Sequence, residues 1–271
     1  MEKYKLIALD MDGTLLMSDK RIHPDTIRDI AYAVEKGVNI VYSTGRGPVE
    51  LKPVAAELPM IRWGICASGS QVYDFREKKV VFRKEIPGEL VREVIRIVGE
   101  ETGMVNFLTD SQSIARADQI ARMEEFHMKA YQQVYEEVAT IVPSMMEEAK
   151  RHASVPKMNI YFRSPADREK AFADLRHLPL TYILTEKTSL EITAEGVTKA
   201  LGLEKLAGHL GISLEETVGI GDGDNDRALL ELAGFAVAMR NATPGIQRIS
   251  DFVTDDNDHN GVGKAIRRLI G

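Results

Sequence analysis

The first apolar stretch, Leu6-Ile7-Ala8-Leu9, is unbroken by any polar residue, the pattern of a strand buried on both faces of a parallel sheet. His23-Pro24-Asp25 then opens a helix that carries Ile27, Ala31 and Val34 on one face and stops at Gly37. Val38-Asn39-Ile40-Val41-Tyr42 predicts the next buried strand, residues 49–57 a second helix, and Trp63-Gly64-Ile65-Cys66-Ala67 a third strand. This β-α-β-α order calls for a parallel sheet with right-handed crossovers.

From Gln71 the pattern changes. Gln71-Val72-Tyr73-Asp74 and Lys79-Val80-Val81-Phe82 read as a hairpin around a charged turn. Residues 84–186 then predict two amphipathic helices (88–101 and 117–139), strands at 104–108 and 157–162, a helix at 165–178 and a strand at 181–184. After them, residues 189–193 lead to a helix at 198–210, a strand at 217–220, a helix at 224–233, a strand at 235–238, and a last strand and helix within 252–270. The economical architecture is α/β. A doubly wound, Rossmann-like parallel-sheet core is built from residues 1–83 and 187–271, and an α+β domain of residues 84–186 is inserted between them.

Composition narrows the function only by exclusion. At 271 residues, 44% hydrophobic and 28% charged, the chain is long enough for about two globular domains and is neither a mini-protein nor disordered. Its 35 Lys+Arg against 41 Asp+Glu give a net charge of −6, so no cationic excess is available for nucleic acid. The single cysteine, Cys66, sits in an apolar run as a buried thiol would, which suits a reducing cytoplasm. The apolar run at residues 6–9 is too short for a signal-peptide core or a membrane span, so a cytoplasmic protein without a membrane partner is expected.

In open parallel sheets, ligands bind beyond the carboxyl ends of the strands. After the first strand stands Asp10-Met11-Asp12-Gly13-Thr14, after the second Ser43-Thr44-Gly45-Arg46, and after the strand at 217–220 Gly221-Asp222-Gly223-Asp224-Asn225-Asp226. Carboxylates clustered on one rim repel one another unless a cation neutralises them, and an all-oxygen ligand set suits a hard ion such as Mg²⁺. The run from Asp222 begins like a calcium loop, but its sixth position is Arg227 instead of Gly and its twelfth Ala233 instead of Glu. The six histidines are scattered and form no His-Glu-x-x-His site. Met123, Phe126, Met128 and Tyr131 have the spacing of a core stripe more than of a substrate face.

Taken together and in order, Asp10-Met11-Asp12-Gly13-Thr14, Thr44, Lys199 and Gly221-Asp222 with Asn225-Asp226 resemble the four motifs of the haloacid dehalogenase superfamily. The large insertion, Glu195-Gly196-Val197-Thr198-Lys199, and the ending from Val253-Thr254-Asp255-Asp256 to Gly261-Val262 resemble its Cof-type branch (subfamily IIB) with a C2B cap. The resemblance implies that Asp10 is the nucleophile, that Asp12 is the general acid and base, and that Thr44 and Lys199 hold the phosphoryl group. It implies Mg²⁺ bound by the Asp10 side chain, the Asp12 backbone carbonyl and Asp222, with Asn225 or Asp226 in support. Gly45, Arg46 and Asn241 are candidate substrate contacts, although an ion pair would account equally well for Arg46 and Arg240. Three positions depart from the family pattern: Ser68-Gly69 replaces Asn-Gly, Arg240 replaces the Gly before Asn241, and Ala200 replaces the Gly after the lysine.

The expected activity is therefore Mg²⁺-dependent hydrolysis of small phosphomonoesters, sugar phosphates among them, through an aspartyl phosphate. The insertion is expected to close over the site of a monomer or homodimer, admitting small metabolites and excluding phosphoproteins. A phosphomutase or phosphotransferase would use the same chemistry and differ in releasing almost no free phosphate. A phosphoaspartate receiver would need an adjacent acidic pair in a far shorter chain, so Asp10-Met11-Asp12 and the long insertion fit it poorly.

Overall fold

Strand β1 (Leu6–Leu9) is buried along its whole length, which is why all four of its side chains are apolar. It is followed by β2 (Asn39–Ser43), β3 (Trp63–Cys66), β4 (Gln71–Asp74) and β5 (Lys79–Arg83). The inserted stretch carries β6 (Ile86–Pro87), β7 (Gly103–Leu108), β8 (Ser113–Arg116), β9 (Ala139–Val142), β10 (Ser154–Val155), β11 (Met158–Phe162), β12 (Leu180–Leu184) and β13 (Ser189–Ala194). The chain then returns with β14 (Thr217–Gly221), β15 (Phe235–Ala238) and β16 (Phe252–Val253). The structure, a computed structural model, describes residues 3–185 and 187–271.

Two compact units result. One comprises the chain up to Arg46, Lys52–Phe82 and Thr198–Gly271; the other comprises Gly47–Leu51 and Arg83–Val197. The first unit holds an eight-stranded sheet of order β16-β15-β14-β1-β2-β3-β4-β5. Strand β1 pairs in parallel with β14 on one side, Leu9 opposite Ile220, and with β2 on the other, Leu9 opposite Tyr42. The sheet thus runs outward from β1 in both directions, through its successor β2 on one side and the distant β14 on the other, which is the doubly wound arrangement and sets the chain segments after β1, β2 and β14 side by side at one sheet end.

Helix Lys199–Leu210 covers one face of this sheet through Leu203 and Leu206, which share a core with Leu6, Ala8, Val41, Trp63, Ile65, Val72 and Leu229. Its start is fixed by Gly69: this residue has φ +99°, and a Cβ there would lie 2.0 Å from the Thr198 carbonyl oxygen, so only glycine lets the helix begin so close to β3. Helix Pro24–Glu35 begins with its Pro at the first turn, as the sequence pattern predicts, and His23 caps it by accepting from the Asp25 amide; its buried face carries Thr26, Asp29, Ile30 and Ala33, whereas the expected Ile27, Ala31 and Val34 are half-buried.

The second unit is built on a six-stranded sheet of order β12-β13-β11-β7-β8-β9, antiparallel except for the β8–β9 pair, with β6 and β10 forming a separate two-stranded ribbon. Two expectations differ here. Strand β13, read as part of the core segment that starts at residue 187, pairs with β11 and β12 in the second unit. The continuous helix expected over residues 117–139 is broken into helix Ala117–Ile120, two 3₁₀ turns and helix Gln132–Val138. The break has a packing cause. Met123, Phe126 and Met128 all bury beside Met104, Ala115, Ile120 and Tyr135, yet on a continuous helix Met128 would point about 160° away from Phe126. A left-handed residue, His127 at φ 60°, turns the chain so that one cluster can bury them all. Strands β8 and β9, four residues each and flanking this segment, were not anticipated. Glu186, the expected end of the insertion, and residues 1 and 2 of the expected core lie outside the described residues.

Candidate active site

Asp10 follows β1 directly and is 5% exposed. Its amide donates to the Ile220 carbonyl, continuing the β1–β14 ladder by one residue and fixing where its side chain emerges. Lys199, the first residue of helix Lys199–Leu210 and 1% exposed, donates from Nζ to Asp10 Oδ1 at 2.5 Å and to Asp226 Oδ1 at 2.6 Å. A cation at a helix N-terminus opposes the helix dipole, so a fully buried one stands there only because two carboxylates hold it. Asp226 Oδ2 accepts the backbone amides of Asp222 and Gly223, both at 3.1 Å, which curls the segment after β14 around its own carboxylate.

Asp222 completes the cluster. Thr14 donates to its Oδ1 at 2.8 Å, and one carboxylate oxygen from each of Asp10, Asp222 and Asp226 lies within 4.8 Å of the others. Gly13 makes this approach possible: its φ is +86°, and a Cβ would lie 2.4 Å from Asp222 Oδ2. Three carboxylates against one ammonium give the fully ionised cluster a formal charge of −2. Burial, helped by Asp226 and Asp222 and opposed by Lys199, pushes the Asp10 carboxyl well above the usual range. Burial likewise raises Asp222, to about 6, with Asp226 adding to it. On Lys199 burial works the other way, but Asp10 and Asp226 outweigh it and hold the ammonium charged. The donor set is all oxygen, dianionic overall and strained by its own charge, so it fits a hard divalent cation.

Asp12 lies outside that cluster of three and has different partners. Arg46 grips it with both ends of its guanidinium, Nη2 at 2.8 Å from Oδ2 and Nε at 3.2 Å, and Lys20 Nζ lies 2.8 Å from Oδ1. Burial alone would raise this carboxyl; the two cations overcome it and hold Asp12 below the usual carboxylate range. Thr44 is 2% exposed at the end of β2, its Oγ1 accepting from the Arg46 amide at 3.2 Å and its own amide bound to the Ile65 carbonyl. Gly45 is half-buried between Thr44 and Arg46. Asn225 is also half-buried, its Oδ1 set close over Gly223.

Asn241 is exposed and makes two bonds in this structure, from Nδ2 to the Gly13 carbonyl at 2.8 Å and to Oδ1 from the Asn257 amide at 3.2 Å. Arg240 is engaged by Asp255 at 2.6 Å, so both arginines considered at the rim sit in ion pairs. Ser68 adopts φ 57° and donates its amide to the Thr44 carbonyl, holding the segment after β3 against the end of β2. The Cys66 thiol is buried. Sequence reading missed Lys20, because a left-handed residue at φ 67° brings it back from eight positions along the chain and no local pattern announces that return. Thr14 lay within the quoted motif, but its bond to Asp222 spans 208 positions and was not foreseen.

Three comparisons bear on this geometry. A family model described as haloacid dehalogenase-like hydrolase matches residues 7–266. The chain is 28% identical over 269 residues to the 5-amino-6-(5-phospho-D-ribitylamino)uracil phosphatase of Bacillus subtilis, covering 98% of this chain and 96% of that protein. It is 27% identical to the pyridoxal phosphate phosphatase of Escherichia coli, with 97% of each covered. Among solved structures, a sugar phosphatase of haloacid dehalogenase subclass IIB superposes with a TM-score of 0.83 at 25% identity, covering 97% of this chain and 98% of that one. No helix among the described residues is long and apolar enough to cross a membrane.

Proposed function

We propose, for a chain that belongs to the haloacid dehalogenase-like hydrolases and is a phosphoric monoester hydrolase of subclass IIB, that Asp10, Asp12, Thr44, Lys199 and Asp222 carry out Mg²⁺-dependent hydrolysis of small phosphorylated metabolites. The observation that carries the proposal is the convergence of Asp10, Asp222 and Asp226 around one buried lysine, three acids against one base. The relatives are named for a phosphoribityl-aminouracil, pyridoxal phosphate and sugar phosphates, which share only the small phosphomonoester. That shared class is the substrate assigned here.

In this reading Asp10, Asp222, Asp226 and the Asp12 carbonyl, with Asn225 alongside, hold the cation, which when bound offsets negative charge on the phosphoryl oxygens. Asp10 attacks phosphorus, the ester P–O bond breaks, and the leaving oxygen takes a proton from Asp12. Water then attacks the aspartyl phosphate, Asp12 takes the water's proton, and the P–O bond to Asp10 breaks to release phosphate. Lys199 and the Thr44 hydroxyl orient the phosphoryl oxygens, with Gly45, Arg46 and Asn241 at the edge.

The grip of Arg46 and Lys20 bears on the first step. It keeps Asp12 ionised, so Asp12 is a base at rest and must take up a proton from solvent, as an incoming dianion draws those cations away, before it can act as the acid. A reducing cytoplasm is the compartment assigned, and the buried thiol of Cys66 suits it. The test is phosphate release over a panel of phosphorylated metabolites with Mg²⁺, with Asp10→Asn as control. Turnover of small phosphomonoesters that vanishes in Asp10→Asn is expected. Transfer of phosphate to acceptor hydroxyls without release would replace hydrolysis by a mutase or transferase reading.

A further inference from the structure

The loop that follows the nucleophile is held from a distant part of the chain. Asn241 Nδ2 donates to the Gly13 carbonyl at 2.8 Å, Asn257 Nδ2 to the Leu16 carbonyl at 2.9 Å, and Asp258 accepts both the Ser18 amide at 2.8 Å and the Ser18 hydroxyl at 2.7 Å. The clasp is braced in turn. The Asn257 amide donates to Asn241 Oδ1, the Asp258 amide to Asp256 Oδ1, and Arg240 binds Asp255 through its side chain at 2.6 Å and its amide at 3.3 Å. Lys264 pairs with the same Asp255. Arg240 is one of the three positions where this chain departs from the family pattern, so the brace is built partly from a residue of its own.

What the loop carries gives the clasp its consequence. Gly13 lies against Asp222, Thr14 donates to Asp222, and Lys20 reaches Asp12. A loop free to move would carry the Asp12 carbonyl and the Thr14 hydroxyl away from the carboxylate cluster, and a cation site responds steeply to loss of such outer support. We propose that Asn257 and Asp258 are positioning residues that set the affinity of the carboxylate cluster for a divalent cation by clasping residues 13–18. This rests on the cation assignment made above and goes beyond it, because neither residue touches the cluster.

The test is calorimetric titration of metal-stripped protein with Mg²⁺ alone, without substrate, supported by steady-state kinetics at saturating Mg²⁺. Each alanine variant removes one or two hydrogen bonds, so Asn257→Ala and Asp258→Ala are expected to weaken Mg²⁺ binding about fivefold to tenfold. Asp258→Asn, which keeps an acceptor for the Ser18 amide, restores most of that affinity. At saturating Mg²⁺ the KM for substrate moves less than twofold, because the clasp acts on the cation site. Mg²⁺ affinity within twofold of wild type in both alanine variants, with only the melting temperature lowered, would overturn the proposal and leave a merely structural clasp. Should an alanine variant not fold, Ser18→Ala, which removes the hydroxyl bond to Asp258 from the loop side, is expected to weaken Mg²⁺ binding in the same direction. A wild-type protein that binds Mg²⁺ without releasing phosphate sinks the hydrolase reading and leaves this one standing; one that binds no Mg²⁺ sinks both.

Discussion

Replacing Asp222 by asparagine should make the metal-free protein more stable. The site holds Asp10, Asp222 and Asp226 within 4.8 Å of one another against one ammonium, and burial lifts the Asp222 carboxyl from 3.8 to about 6. A shift of that size corresponds to roughly 3 kcal/mol at neutral pH, or about 2 kcal/mol once solvent screening of a partly exposed group is allowed for. Its sign follows from proton linkage. The folded state holds a proton on Asp222 that the unfolded chain has lost between about pH 4 and 6, so metal-free stability falls as pH rises through that window. Asparagine carries no charge at any pH and keeps an oxygen for the Thr14 hydroxyl. In EDTA at pH 7.5, Asp222→Asn should therefore melt about 4–8 °C above wild type, at 2–4 °C per kcal/mol, and the difference should vanish near pH 4. Adding Mg²⁺ should raise the wild-type melting temperature and leave the variant unmoved. Scanning fluorimetry across pH, with and without Mg²⁺, reads all four conditions. A variant no more stable than wild type at pH 7.5 in EDTA would refute the claim that this cluster is strained by uncompensated charge.

Other substitutions probe separate links. Gly13→Ala forces a side chain into a left-handed backbone and against Asp222, so Mg²⁺ binding measured by calorimetry should be lost or weakened more than tenfold. Lys199→Met leaves two buried carboxylates without their cation; phosphate-release assays should show kcat lower by about a thousandfold, and urea titration a stability loss of about 3–5 kcal/mol unless Asp10 takes up a proton. The Ser43 hydroxyl is buried with no hydrogen-bond partner among the described residues, so Ser43→Ala should raise the melting temperature by a few degrees, corresponding to roughly 1 kcal/mol.

Much of this site could be read from the chain because its backbone supports are local. Leu6–Leu9 and Thr217–Gly221 are apolar runs that stop where carboxylates begin, and a parallel sheet turns that punctuation into a shared rim. The lysine was legible as part of an ordered set of motifs, but its two hydrogen bonds to Asp10 and Asp226 were not, since the three lie on separate elements. The hold of Arg46 and Lys20 on Asp12 was equally hidden, and it bears on the resting charge of the residue proposed as acid and base. In the inserted unit, the failures were of register and continuity. Ser189–Ala194 has the composition of a strand for either sheet, and only its pairing with both neighbours decides the matter. The helix expected at residues 117–139 broke because a cluster of buried methionine and aromatic side chains outweighed helical continuity, an outcome set by tertiary packing.

The central claim is that Asp10 carries the phosphoryl group during turnover. Rapid quench of enzyme mixed with a radiolabelled phosphomonoester, followed by borohydride trapping of acyl phosphate and peptide mapping, tests it directly. Label confined to the peptide containing Asp10, forming and decaying at rates consistent with phosphate release, is the predicted result. Steady phosphate release with no trapped acyl phosphate, or label on a different carboxylate, would contradict it.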